Sequence, residues 1–217
     1  MHPTLKIAKV KDFKITGDGS SRAWKNAEWQ ILSRVAEGKA HYPTKAKALY
    51  SSSGMYFLFD CVDKKLICNL TEDFSDIYNQ DVVEVFLWPD KKQNLYFEYE
   101  TSPLGVQLPI LVANNKGTFF GWRPWHFEGD RLTKVKTSVR GGRKAKMAKI
   151  TGWTAEFFIP FKLLTGLGNV PPAPGTTWRA NMYRIDYDQI PQSHWAWSTV
   201  TGRIFHDFHN FGIFKFE

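Results

Sequence analysis

The sequence predicts an all-β protein, an antiparallel β-sandwich with one or two short helices, and three observations carry that expectation. β-Branched and aromatic residues gather in short runs, residues of the Gly, Pro, Asn, Asp and Ser group divide those runs, and helical periodicity is scarce. In chain order the runs predict strands at about residues 13–15, 46–50, 55–61, 81–88, 95–101, 108–112, 133–139, 153–159, 177–187, 195–199 and 212–216. Ser51-Ser52-Ser53-Gly54 joins the second run to the third, and Pro89-Asp90-Lys91-Lys92-Gln93 joins the fourth to the fifth. Short polar links of this kind close antiparallel hairpins. Residues 24–35 and 161–164 predict the short helices. The Gly- and Pro-rich stretch 166–175 is too short to link domains, and no repeat is evident, so residues 1–217 are read as one sandwich domain.

With 217 residues, 43% of them hydrophobic, the chain is long enough to bury a sizeable core. Its longest apolar runs, 55–59 and 82–88, fall far short of the ~20 residues of a membrane helix, so no membrane span is expected. Met1-His2-Pro3 shows no signal-peptide pattern. A formal charge of +8 favours acidic partners. The excess is concentrated, however, in Arg140, Arg143, Lys144, Lys146 and Lys149 around Gly141-Gly142, the composition of a solvated hairpin tip. Cys61 and Cys68 are too few for a four-ligand zinc framework and lack CxxC spacing. They read either as a local bridge between neighbouring strands or as two buried thiols.

Enzyme signatures are absent: there is no GxSxG elbow, phosphate loop, GxGxxG or HExxH. His206-Asp207-Phe208-His209 offers metal-ligand types without a recognisable third ligand. Glu72, Asp73, Asp76, Asn79 and Asp81 supply hard oxygen ligands in one loop, outside the helix-loop-helix calcium pattern.

Strand alternation is more informative. In 81–88 it sets Val83, Val85 and Leu87 against Val82, Glu84 and Phe86, which puts a carboxylate mid-strand among apolar neighbours. In 95–101 it sets Phe97 and Tyr99 against Tyr96, Glu98 and Glu100. In 177–187 it sets Ala180, Met182, Arg184 and Asp186 against Arg179, Asn181, Tyr183 and Ile185. Each charged residue taken singly reads as a cross-strand pair on a solvated face. Taken together with 16% aromatic residues and nine tryptophans, they read as a sugar site. Carboxylates and guanidinium groups hydrogen-bond hydroxyls, and flat rings cover the apolar face of a pyranose. Trp122 and Trp125, separated by Arg123-Pro124, and Tyr78, just before the Glu84 strand, are candidate rings.

The succession Tyr78-Asn79-Gln80-Asp81-Val82-Val83-Glu84-Val85-Phe86-Leu87, Tyr96-Phe97-Glu98-Tyr99-Glu100-Thr101-Ser102-Pro103-Leu104-Gly105 and Gly152-Trp153-Thr154-Ala155-Glu156-Phe157-Phe158-Ile159-Pro160 resembles the family 9 carbohydrate-binding modules, especially their stand-alone family 9-like branch. Trp178 to Arg184, Ala196-Trp197-Ser198 and Phe205 through Gly212 continue the resemblance to the C-terminus. It implies an immunoglobulin/DOMON-like sandwich that binds sugar without catalysis, extracellular or periplasmic, often beside glycoside hydrolases and with structural calcium common. In that family two tryptophans sandwich a sugar and a glutamate binds its hydroxyls. By resemblance the glutamate falls on Glu84 and the rings on Tyr78 and Phe205, and an arginine of the xylanase-borne members falls on Glu98.

The expectation is therefore a non-catalytic, monomeric protein that binds a poly- or oligosaccharide in support of polysaccharide breakdown. Tyr78 and Phe205 stack on the sugar, Glu84 bonds it, Glu98 and Arg184 assist, and Trp122 and Trp125 are the next rings. No cofactor beyond a structural calcium and no nucleic acid is expected. The alternatives are a glycosidase drawing on Glu84, Glu98, Glu100 and Glu156, and a haem module drawing axial ligands from Met182, His194, His206 and His209.

Overall fold

The computed structural model describes residues 2–35, 42–201 and 205–217. Among them are thirteen strands: β1 (Thr4–Ile7), β2 (Gln30–Arg34), β3 (Thr44–Tyr50), β4 (Gly54–Val62), β5 (Val82–Trp88), β6 (Leu95–Thr101), β7 (Gln107–Asn115), β8 (Thr118–Pro124), β9 (Lys134–Arg140), β10 (Gly152–Pro160), β11 (Thr177–Asp186), β12 (Ser193–Ala196) and β13 (Gly212–Phe216). The hydrogen-bonded order is β8-β7-β6-β5-β11-β12-β2-β3-β4-β10-β9, with β13 beside β11 and β1 parallel to β13. The other strand pairs are antiparallel. β2 turns the corner between the two layers, pairing Ser33 and Arg34 with β12 and residues 30–32 with β3.

Period-two alternation decides what lies between the layers. Val83, Val85 and Leu87 of β5, Phe97 and Tyr99 of β6 and Ala180 and Met182 of β11 meet Phe57 and Phe59 of β4 and Ala155 and Phe157 of β10 in the main core. The opposite face of the first layer is also buried. Val82, Phe86, Tyr96, Ile110, Val112, Tyr183 and Ile185 pack there with Phe205, Phe208 and Phe211 of the segment before β13. A smaller cluster on the outer face of the second layer holds Ile15, Trp24, Tyr56, Leu58 and Phe158.

The two sequence-predicted helices fare differently. Residues Phe161–Leu164 form a 3-10 turn. Residues 24–35 do not form one helix: a 3-10 turn at Arg22–Asn26, its first turn capped by the Ser21 hydroxyl, gives way to strand β2. Pairing on both edges outweighs local propensity there. The run at 13–15 forms no strand. Phe13 instead stacks on Tyr56 at 4.2 Å, and the chain beyond it wraps a buried carboxylate. β1 and β8 lie outside the predicted strands. Cys61 and Cys68 are both buried free thiols, raised to about 12 by burial, so no bridge joins them. The basic tip around Gly141 is exposed, with Arg140 paired to Asp60 at 2.6 Å.

Candidate functional site

Three glutamates come together on the outer face of the first layer. Register sets Glu84 of β5 directly opposite Glu100 of β6 and opposite Tyr183 of β11, and sets Phe86 opposite Glu98. Because Glu98 and Glu100 are two apart on one strand, all three side chains leave the same face. They floor a cavity of about 330 Å³ also lined by Tyr78, Phe86, Ile110, Phe119, Trp122, Ile185, His194, Phe205 and His206.

The walls are aromatic. Phe205 lies flat on Tyr183 with centroids 4.1 Å apart, and Phe119 lies flat on His206 at 4.3 Å. The His206 Nδ1 and the Tyr96 hydroxyl share a hydrogen bond of 2.6 Å. Tyr78 belongs to the 3-10 turn Ile77–Asn79, and its carbonyl accepts from the Tyr187 hydroxyl at 2.8 Å. Phe119 and Trp122 share a face although they are three positions apart. Val112 pairs with Trp122 and Asn114 with Phe119, so β8 carries one extra residue, a bulge eased by Gly121 at φ 98°. The hairpin before it turns at Lys116-Gly117, both with positive φ, as a two-residue turn between twisted strands requires.

The three carboxyls are almost fully enclosed, Glu84 2%, Glu98 4% and Glu100 1% exposed. Burial first, and then a neighbouring carboxyl, raises each of them well above the ordinary carboxylate range. Burial also lowers His206 to about 4. Glu98 and His206, 3.8 Å apart, are thus both pushed toward their neutral forms.

Five of the seven sequence-predicted residues, Tyr78, Glu84, Glu98, Trp122 and Phe205, meet at this cavity. Arg184 and Trp125 do not. Arg184 is 0% exposed and projects from the opposite face of β11, where it donates to Asp63 at 3.0 Å, Asp186 at 2.6 Å, Thr44 and the Val62 carbonyl. It shares a face with Met182, so the register that turns Tyr183 toward the site turns Arg184 inward. Trp125 packs against the main core and donates its indole N–H to the Leu163 carbonyl at 2.6 Å. Phe205, expected to stack on the sugar, is only 8% exposed, and Tyr183 covers one of its ring faces. The prediction omits Glu100, Phe119, His194 and His206 from the binding set. The alternation that places Glu98 also places Glu100, whereas Phe119 depends on a bulge that carries no periodic signal.

Other candidate chemistry falls elsewhere. Glu156, on the second layer, accepts from the Thr16 hydroxyl, the backbone N–H groups of Thr16, Gly17 and Gly19, and the Trp24 indole, and serves as a structural latch. Met182 lies in the main core, on the far side of the sheet from the cavity that His194 and His206 line, so Met182 pairs with neither of them as an axial ligand. Among the described residues, one acidic group is close enough to share an ion: Asp63, Asp186 and Asp188, within 4.8 Å of one another. Arg184 already donates to two of them, so this set fits a guanidinium rather than calcium. In the acidic loop, Asp73 accepts from the Gln107 N–H and Asp81 from those of Ile67 and Tyr187. A larger hollow of about 790 Å³ lies on the second layer. Two of its polar groups are engaged, Asp12 by Ser53 and Tyr56 and the Gln107 side-chain carbonyl by Tyr99 and Thr133.

Comparison with known proteins adds family and fold. The family model described as carbohydrate family 9 binding domain-like matches residues 15–217. None of the curated proteins gives a significant match. Among solved structures, a Bacteroides uniformis protein proposed to bind carbohydrate superposes with a TM-score of 0.79 at 16% identity, covering 100% of both chains. A family 9 carbohydrate-binding module from Caldicellulosiruptor kristjanssonii, in complex with cellotriose, gives 0.68 at 17% identity over 99% of this chain and 94% of that one. The glucose complex of a family 9 module from that organism gives 0.67 at 18% identity over 98% and 95%. At these identities the structures establish a shared fold.

Proposed function

The chain belongs to the carbohydrate family 9 binding domain-like family, and from that premise we propose that it binds a sugar without transforming it, at the cavity floored by Glu84, Glu98 and Glu100. One observation carries the reading: three buried carboxyls and four rings, Tyr78, Phe119, Trp122 and Phe205, converge on one hollow of ligand size. Sugar hydroxyls bond the acids while the rings cover the apolar ring face. At about 330 Å³ the cavity suits the end of a sugar chain rather than its length.

The two family 9 modules hold cellotriose and glucose, which makes glucose-type chain ends the first ligands to try. We further propose that residues 1–217 act as one monomeric domain, extracellular or periplasmic, beside glycoside hydrolases that break down polysaccharide; a family match over residues 15–217 supports the single domain. No described helix is long and apolar enough to cross a membrane.

Calorimetric titration with a panel of oligosaccharides, beside prolonged incubation with the same polymers, tests the reading. Saturable binding without release of reducing sugar is expected. Carboxyls that share a cleft are also what a glycosidase needs. Released product that disappears in both Glu84→Gln and Glu98→Gln would replace binding with hydrolysis.

A further inference from the structure

The charge at the floor of the cavity is one-sided, and that imbalance selects among sugars. Resting on the carbohydrate-binding reading above, we propose that the preferred ligand is an amino sugar, a glucosamine-type residue whose protonated amine docks among Glu84, Glu98 and Glu100.

Glu98 Oε2 and Glu100 Oε2 are buried with no hydrogen-bond partner at ordinary distance, and the two carboxyls act on each other. Buried acceptors of this kind are normally satisfied, so a donor from outside the protein is called for. Among the described residues, the basic side chains lining the cavity are His194 and His206. His206 has its Nδ1 committed to Tyr96 and a ring face committed to Phe119. Asp76 adds further negative potential, since it raises both Tyr78 and Glu100.

A neutral sugar can donate hydroxyls to these atoms but brings no charge to offset the cost of ionising an acid in a dry hollow. An ammonium group brings three donors and one positive charge, and its hydrogen bonds to carboxylates are the stronger kind. The ring faces of Trp122 and Phe119 at the rim suit a cation as well as a pyranose. A bare metal ion fits less well. Among the described residues, the three glutamates are not a group whose oxygens all come within 4.8 Å of one another; that spacing occurs only at Asp63, Asp186 and Asp188. The chain as a whole carries +8, which repels cationic ligands, so a preference for one would have to arise in the cavity.

The test compares three trisaccharides on the unmodified protein by calorimetry, at a pH where the amine is protonated: the glucosamine trimer, its N-acetylated counterpart and cellotriose. The glucosamine trimer should bind about tenfold tighter than cellotriose, the margin between a charged and a neutral hydrogen bond. The N-acetylated trimer has the same backbone without the charge and should not share the advantage. In Glu98→Gln and Glu100→Gln, checked for folding by thermal melting, the preference should shrink toward parity. Cellotriose or the N-acetylated trimer binding as tightly as the amine would overturn the amino-sugar proposal and leave carbohydrate binding standing. Binding of no sugar at all would overturn both.

Discussion

Glu84 and Glu100 face each other across the β5–β6 ladder as a direct cross-strand pair, both nearly enclosed. Like charges opposite one another destabilise a sheet, and dry surroundings disfavour the charged form of each. The pair therefore costs stability, and it persists on a face that also offers a ligand-sized hollow. Functional sites commonly carry such a cost.

Replacing Glu84 by Gln should accordingly stabilise the free protein at neutral pH by on the order of 1 kcal/mol while weakening sugar binding by roughly 1.5–3 kcal/mol. The pH dependence has a definite sign. The folded pKa of Glu84 lies above the unfolded value, so the folded state holds more protons between the two. The contribution is fully favourable below the ordinary carboxylate range and is lost as pH rises toward the folded value. The stabilisation by Glu84→Gln should thus grow as pH rises above the ordinary carboxylate value of about 4.3. Denaturant melts of both proteins across that range measure it; a difference that is flat or falls with pH would contradict the assignment.

Arg184 supplies the opposite case, a buried charge that is well matched. Its guanidinium lies between Asp63 and Asp186 and over the Trp195 ring at 5.1 Å. Arg184→Met would leave two buried acids without a cation and should cost about 3–5 kcal/mol of stability. Because the residue faces the main core, the fraction that remains folded should bind sugar with unchanged affinity. A selective loss of affinity in a fully stable variant would restore Arg184 to the site.

These two residues also mark where the sequence can be read and where it cannot. Period two separates Val82, Glu84 and Phe86 from Val83, Val85 and Leu87, and it places Arg184 with Met182 rather than with Tyr183; both separations hold in the fold. What alternation lacks is the identity of each face. The first layer is buried on both sides, so Arg184 could be assigned to the ligand face only by supposing that polar residues share one. β2 was hidden because its residues extend only to satisfy partners on both edges. Phe119 reaches the site through a bulge, which shifts a strand by one residue and erases the periodic signal.

Glu156 should behave as a latch. Its carboxylate gathers three backbone N–H groups, a hydroxyl and the Trp24 indole, tying the segment 16–24 to β10. Hydrogen bonds to a charged group are worth about 1.5–3 kcal/mol each at most and are not additive here, so Glu156→Ala should cost roughly 3 kcal/mol or more. Proteolysis is expected to reach the N-terminal segment of this variant first, detectable by mass spectrometry, while sugar affinity stays unchanged. Equal cleavage patterns in parent and variant would remove the latch.

The rings divide by how much of each is already in use. Phe205 has one face on Tyr183 and is buried, so Phe205→Ala should cost about 3–5 kcal/mol of folding free energy as well as affinity. Phe119 is 43% exposed on the edge strand β8, where its contact is His206. Phe119→Ala should cost less than about 1 kcal/mol of stability. If Phe119 caps a bound sugar, its loss removes apolar cover at about 25 cal/mol per Å², and affinity should fall several-fold. His206 would also lose the ring that covers it, so its pKa should rise from its low value toward the ordinary one, a change that proton NMR of the imidazole reports. Melting curves, titrations and the imidazole shift together separate the two rings. A Phe119→Ala protein that binds as its parent does would confine the ligand to Phe205, Tyr78 and Trp122.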